Sequence, residues 1–266
     1  MNEKASHRIE LTVNRDAVAA PVHHAAIACR EIIDFCFNSI SSADLSQRPK
    51  AASSFFRFDP KGPDLNADGR RALYESWILA KAFQDLMRGV RASLEEAYFV
   101  IQLISQPIQI RSATTLADLF SPFRERAGKK KFPDLLKLVN ASLTEPLAFS
   151  DAFQSLQDAR NCLEHRNGIV GKIDAGDGQA MKLTFPRVKL FYFRNGEEIE
   201  VVEGEPVDAG DGKGEVEILM RLEVRERTIG LGERIILTAR DFDEIAFGCF
   251  FFGSQLTLRL PQPTHV

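Results

Sequence analysis

One long amphipathic stripe, over residues 73 to 104, constrains the fold of this sequence most. Its apolar side chains recur at steps of three and four residues and so share one face of an α-helix; they are Leu73, Trp77, Ala80, Met87, Val90, Leu94, Tyr98, Ile101 and Ile104. At about 1.5 Å per residue, such a helix is about 50 Å long. The other elements must therefore pack around it, and Gly89 is where we expect it to bend.

Three shorter stretches also carry helical periodicity. Helices are predicted over residues 21–40, 134–143 and 151–167. Pro21 suits the first turn of the first helix, because a backbone N–H is not needed there. Asn167-Gly168 is expected to end the last of these helices in the left-handed conformation.

After Gly171 the period of the apolar residues changes from that of a helix to that of a β-strand. Strands are predicted at residues 181–193, 215–225 and 233–237, where apolar and polar residues alternate. Pro186 lies within the first of them and argues against a regular central strand, because proline cannot donate to the hydrogen-bond ladder.

Two local signals complete the architecture. Asn195-Gly196 lies between two strand-like runs and predicts a tight hairpin. Thr238-x-x-Asp241 resembles a capping box and predicts a last helix that is rich in phenylalanine. The expected fold class is α+β and mainly α, with an antiparallel helical bundle at residues 15–172. A small antiparallel β meander and a closing helix that packs back on the bundle follow at residues 173–266.

Charge and composition restrict the partners. The chain has 34 Lys and Arg against 37 Asp and Glu, so binding of nucleic acid requires a local basic patch. Its 20 Phe have no polar group and are expected in the core or at an interface, and the last helix could bind a protein partner through them. Residues 97–110 and 245–258 are the longest uncharged stretches and are too short to span a membrane. With a charged start that does not look like a secretory signal, we expect a cytoplasmic protein without a membrane partner.

A calcium-site pattern occurs at residues 64–75, which fit the written form of an EF-hand loop. Pro60 and Pro63 stand where the entering helix should be, and Arg71 takes the place of an aliphatic residue. We therefore expect residues 41–69 to be a loop whose last turn starts the long helix. The four cysteines form no CxxC pair, and neither a metal nor a cofactor is expected.

The polar cluster with the clearest chemistry lies in the predicted helix 151–167. Asp158, Asn161 and His165 share one face of that helix, and Arg160 stands beside it. Histidine exchanges a proton near neutral pH, and arginine presents a fixed fork of donors to a phosphate. This combination suits phosphodiester chemistry.

At these residues the sequence resembles the HEPN family (higher eukaryotes and prokaryotes nucleotide-binding domains). The family signature is an Arg, a polar residue and then a His, and Arg160-Asn161-x-x-x-His165 matches it. The resemblance covers this helix and, more loosely, residues 21–171. It implies a helical bundle that pairs as a homodimer. It also implies a metal-independent endoribonuclease of the kind found in toxin, phage-defence and RNA-processing systems.

The resemblance also implies roles for individual residues. His165 would be the general base on the ribose 2′-OH, Arg160 would stabilise charge on the phosphate, and Asn161 would orient the imidazole or a phosphate oxygen. Asp158 and Arg166 are further candidates for binding RNA in the same cleft. A basic cluster, Lys129, Lys130 and Lys131, is expected to attract RNA.

Two other interpretations remain open at this point. Arg160 and Glu164 are four residues apart and could form an ordinary solvated pair, worth about 0.3–0.5 kcal/mol. His165 near a helix C-terminus is favourable by about 0.3–1 kcal/mol through the helix dipole alone. The chain could then be a non-catalytic HEPN-like interaction or regulatory module that binds a protein or nucleic-acid partner.

Overall fold

The computed structural model describes residues 14–48, 62, 64–105, 115–202, 204–208, 210 and 215–262. The elements in chain order are α1 (Asp16–Ser42), α2 (Ala67–Ser105), α3 (Leu116–Gly128), α4 (Phe132–Ser142), α5 (Ser150–His165), α6 (Lys172–Ala175), β1 (Ala180–Arg194), β2 (Glu197–Glu200), β3 (Leu219–Gly230) and α7 (Ala239–Arg259). The protein is thus mainly helical, with a small antiparallel sheet and a C-terminal helix, as the sequence predicts.

Helix α2 is the central element, and α1, α3, α4, α5 and α7 all pack against it. A Cβ atom at Gly89 would lie 2.7 Å from the Cβ of Ala25 and 3.0 Å from the carbonyl oxygen of Pro21. Glycine is therefore required there for the close approach of α1, and α2 continues through it without interruption.

Helix α1 begins at Asp16, so the prediction that it starts at Pro21 is wrong. The proline lies inside the helix, where its ring removes one backbone hydrogen bond. The N–H of Val22 donates to the hydroxyl of Ser93 on α2, at 3.1 Å. This contact between helices helps to hold the turn around the proline.

The start of α2 explains the calcium-like pattern. The side-chain oxygen of Asn66 accepts from the N–H of Gly69 at 2.8 Å, so Asn66 caps a helix that begins at the next residue. Arg70 is buried and donates to the carbonyl oxygens of Leu45 and Leu65. The first residues of the pattern are therefore the turn that starts the long helix, as expected, but α2 begins at Ala67, inside the predicted loop 41–69. Residues 49–61 and 63 of that loop lie outside the described residues.

The sheet has the strand order β2-β1-β3, with every pair antiparallel. Asn195 and Gly196 have φ angles of 51° and 86° in the turn between β1 and β2. These left-handed conformations are those of the tight hairpin turn that Asn-Gly favours, and the predicted hairpin is confirmed.

Two strand predictions need correction. β1 is the central strand in spite of Pro186, because β2 pairs only with Phe191–Arg194 and the proline has β3 alone beside it, opposite Val224. Residues 233–237 form no strand, and Arg234 makes a single bridge to Ile169. The predicted strand 215–225 is displaced, since β3 begins at Leu219 and ends at Gly230.

Helix α7 closes the core. Thr238 and Asp241 form the predicted capping box, with the N–H of Asp241 donating to the Thr238 hydroxyl at 3.1 Å. Where α7 meets α1, Arg15 donates to the carbonyl oxygen of Thr257 at 3.1 Å. One continuous hydrophobic core takes residues from both sides of the predicted boundary at residue 172, from Val18 to Leu260.

Among the described helices, none is both long and apolar enough to cross a lipid bilayer.

Candidate functional site

Helix α5 presents its polar face because its apolar face is buried in the core. The buried side chains are Ala152, Phe153, Leu156, Ala159 and Cys162. Phe153 packs against Phe252 of α7, with 4.3 Å between the ring centroids. The predicted polar residues consequently face outward on a helix that is packed against the core.

The end of α5 is built as the sequence predicts. The N–H groups of Arg166 and Gly168 both donate to the carbonyl oxygen of Cys162 at 3.0 Å. Asn167 and Gly168 have φ angles of 54° and 75°, which ends the helix in the left-handed conformation. His165 therefore occupies the last helical turn, where its side chain is 62% exposed.

Arg160 and Asn161 are held by neighbours one turn away. The guanidinium of Arg160 contacts the carboxylate of Glu164, with 2.5 Å between Nη2 and Oε2, and is 21% exposed. The side-chain oxygen of Asn161 accepts from Gln157 at 2.9 Å and from Arg160 at 3.3 Å. The arrangement gives Arg160 a fixed direction, but it also gives the guanidinium an anionic partner.

Glu164 lies close to three basic side chains of the site. Besides Arg160, its carboxylate lies 3.8 Å from Nη2 of Arg88 on α2 and 3.7 Å from Nε2 of His165. The distance to His165 is too long for a hydrogen bond. A phosphate that reaches Arg160 must therefore compete with this carboxylate.

Asp158 lies one turn before Asn161 on the exposed side of α5. Its carboxylate accepts from the side-chain amide of Gln154 at 3.1 Å. Desolvation by the surrounding protein raises the pKa of Asp158, and the charge of Asp174 raises it further, while the bond from Gln154 acts in the opposite direction.

Arg166 pairs with a carboxylate of α6. Its Nε donates to Oδ2 of Asp174 at 2.8 Å, and its Nη2 pairs with the other carboxylate oxygen. Asp174 also accepts from the N–H of Gly171 at 2.9 Å, at the start of α6. The hydrogen bonds that Arg166 donates to Asp174 raise the pKa of the guanidinium. The structure thus places Arg166 in the connection between α5 and α6.

The three lysines form the loop between α3 and α4, here called the basic loop (Lys129–Lys131). Lys129 pairs with Glu125 at 3.5 Å, and the amine of Lys130 lies 5.2 Å from the ring centre of Tyr98. The loop borders a shallow depression of about 640 Å³ that Lys137 also lines. This patch is positively charged and open to solvent.

Helix α2 connects the basic loop to the motif. Arg91 donates to the carbonyl oxygens of Gly128 and Lys130 at 3.1 and 3.0 Å, whereas Arg88 contacts Glu164. Residues three apart are neighbours on a helix surface, about 5–6 Å apart. The basic loop and the Arg160–Glu164 pair therefore lie on the same side of α2.

Arg88 and Arg91 were not predicted as site residues. In the sequence they belong to the long helix, and no local pattern distinguishes them from its other charged residues. Only the packing of α2 against α5 and the basic loop brings them to the motif.

Comparisons of the chain with models of protein families, with curated proteins and with solved structures find no match.

Proposed function

We propose that this protein is a HEPN-like, metal-independent endoribonuclease that acts in the cytoplasm as a homodimer, of the kind found in toxin and phage-defence systems. The observation that carries the proposal is the exposed end of α5. There Arg160, Asn161 and His165 stand within two helical turns, and Arg88 of α2 contacts Glu164 between them. The helices up to α5 form the HEPN-like bundle in this proposal.

The chemistry is an attack by the ribose 2′-oxygen on the neighbouring phosphorus. His165 takes the proton of the 2′-OH, and the bond between phosphorus and the 5′-oxygen breaks. Arg160 stabilises the charge that develops on the phosphate, after it leaves Glu164. The products are a 2′,3′-cyclic phosphate and a free 5′-hydroxyl.

A second copy of the chain supplies the acid for this reaction. One exposed histidine provides one base, and the leaving 5′-oxygen takes its proton from His165 of the second subunit. A two-fold axis brings two such faces together without further residues, because a two-fold interface is self-complementary. Inactive His165→Ala subunits in excess should therefore reduce wild-type activity more steeply than dilution does.

The alternative is a non-catalytic interaction module. It is favoured by the engagement of Arg160 with Glu164 and by exposed apolar side chains on three helices. Phe35 is 72% exposed and Trp77 is 62% exposed beside an apolar groove between α1 and α2, and Phe247 and Phe250 of α7 are also exposed. A protein partner would bind these surfaces, and Arg160 would only position the helix.

The deciding experiment is cleavage of end-labelled single-stranded RNA in the presence of EDTA. Wild-type protein should produce 2′,3′-cyclic phosphate ends, and His165→Ala should lose this activity while its circular dichroism is unchanged. His24→Ala, which removes another exposed helical histidine, is the matched control and should cut normally. Equal cutting by wild type and His165→Ala would show that the site is assigned wrongly.

A further inference from the structure

We infer that a path for single-stranded RNA runs along α2, from the basic loop past Arg160 to a base-stacking site on Trp77. The inference rests on the proposed function, because it takes RNA as the ligand of the Arg160 site. It adds a binding surface that the motif does not contain.

The path follows one face of α2. Trp77, Lys81, Gln84, Arg88 and Arg91 are spaced by four, three, four and three residues, which places them in one line along the helix. At about 1.5 Å per residue, this line is about 21 Å long. We call it the α2 track.

One end of the track is a groove of about 590 Å³ between the first half of α2, the end of α5 and residues 234–236. Its lining includes Trp77, Lys81, Gln84, Leu163, Asn167 and Arg234. The indole of Trp77 is 62% exposed. An exposed indole beside apolar side chains is a surface on which an unpaired base stacks.

Polar groups surround this stacking surface. The amine of Lys81 lies 3.3 Å from the side-chain oxygen of the buried Gln84, and Arg234 donates to the carbonyl oxygen of Asn167 at 2.7 Å. Asn167 comes two residues after His165 in the chain, so the groove adjoins the end of the motif helix. The groove thus combines a flat aromatic face with cations for the backbone.

The rest of the track carries two arginines, each paired with a carboxylate of α2: Arg88 pairs with Asp85, and Arg91 pairs with Glu95 at 2.8 Å. Arg88 contacts Glu164 of the motif, and Arg91 contacts the carbonyl oxygens of the basic loop. A phosphate backbone laid along α2 therefore meets Lys81, Arg88, Arg91 and the three lysines in turn, with Arg160 beside its middle. Positive charge that follows a backbone, joined to an aromatic face for a base, fits a single strand. A duplex hides the faces of its bases, so it cannot use Trp77.

The test uses the fact that Trp77 is the sole tryptophan of the chain. A 2′-O-methyl hexanucleotide, which lacks the attacking hydroxyl, should quench the intrinsic fluorescence saturably. Trp77→Ala should bind the same labelled oligonucleotide roughly 5- to 150-fold more weakly, which is the range for loss of one base–aromatic stack. Trp77→Phe should retain most of the affinity.

Phe35→Ala is the matched control. Phe35 is an exposed aromatic residue on α1, in an apolar groove on the other side of Trp77 that no cation lines. Its removal should leave binding unchanged, and circular dichroism of each variant should match that of the wild type. Equal quenching by a duplex of the same sequence would contradict a single-stranded path.

Cleavage separates this inference from the proposed function. A dinucleotide covers only the Arg160 site, so Trp77→Ala should cut it like the wild type and lose efficiency only on the hexanucleotide, through KM. Cleavage that Trp77→Ala leaves unchanged on both substrates overturns the path and not the ribonuclease. Binding that depends on Trp77 without any cleavage overturns the ribonuclease and supports the path, and absence of both binding and cleavage overturns both.

Discussion

Replacing Glu164 with glutamine should strengthen the binding of RNA, although it removes two ion pairs. The carboxylate is 27% exposed and is shared by Arg160 and Arg88. A phosphate that binds Arg160 has to break the Arg160–Glu164 pair and then remain near the negative charge of Glu164. Glutamine keeps the size and the hydrogen-bonding capacity of the side chain and removes only the charge.

The magnitude follows from the two terms. Breaking a partly exposed pair with this helical spacing costs about 0.3–1 kcal/mol. Repulsion between two unit charges about 6 Å apart is about 2.8 kcal/mol at an effective dielectric constant of about 20, and salt at about 0.15 M roughly halves it. Together they amount to about 1.7–2.4 kcal/mol, which corresponds to RNA binding that is roughly 20- to 60-fold tighter in Glu164→Gln.

The assay is fluorescence anisotropy of a labelled 2′-O-methyl hexanucleotide over a range of salt concentrations. Glu125→Gln is the matched control, because Glu125 pairs with Lys129 at the exposed end of α3 and should change the affinity much less. Unchanged or weaker binding by Glu164→Gln, in a protein with native circular dichroism, would refute the competition between this carboxylate and phosphate.

Two further predictions concern stability. Because folding raises the pKa of Asp158, the native state holds that proton more tightly than the unfolded chain, and this carboxyl lowers the free energy of unfolding as pH rises through its titration. Asp158→Asn should therefore match the wild type at about pH 3 and exceed it at about pH 7, on either side of the ordinary Asp pKa of about 3.9. Urea denaturation measures the free energy of unfolding of both proteins at each pH. An Asp158→Asn variant that is less stable than the wild type at pH 7 would contradict the prediction. Gly253→Ala should destabilise the fold by about 1–3 kcal/mol, because its Cβ would lie 2.5 Å from Cγ1 of Val22 and force α7 away from α1. Gly128→Ala, with no atom within 4 Å of the new Cβ, is the control and should not lower the melting temperature.

Local signals predicted the parts of the fold that depend on a few consecutive residues. Asn195-Gly196 specifies its hairpin through two left-handed residues, and Thr238 and Asp241 specify the start of α7 by bonding each other. The same signal occurs at Thr115 and Asp118, which cap α3, a helix that periodicity alone did not predict.

The errors fall where distant residues decide the structure. Pro21 is tolerated inside α1, where the N–H of the following residue, Val22, donates to the hydroxyl of Ser93. Pro186 is tolerated inside β1 because β2 is too short to pair with it. Neither partner can be inferred from the residues around the proline.

In the candidate site too, local contacts could be predicted and contacts between distant residues could not. Helical spacing predicted the shared face of Asn161 and His165 and the pair of Arg160 with Glu164. The contact of Arg88 with Glu164 and the pairing of Arg166 with Asp174 depend on tertiary packing. For this reason Arg166 was predicted to bind RNA without its partner Asp174, and Arg88 was not predicted as a site residue.

The packing of α5 against α7 determines when the candidate site can form during synthesis of the chain. The hydrogen bond between Arg15 and Thr257 joins residues that are 242 positions apart in the chain. The ring of Phe153 on α5 packs on Phe252, which also belongs to α7 and is synthesised much later. Contacts this distant in sequence form slowly, since a long loop must close before they contribute. A chain still emerging from the ribosome would carry the Arg160 motif on an unsupported helix, with Val22 and Cys29 of α1 uncovered. If the proposed function holds, the site would mature only after α7 has been synthesised, and cleavage of RNA near the ribosome would be delayed until then.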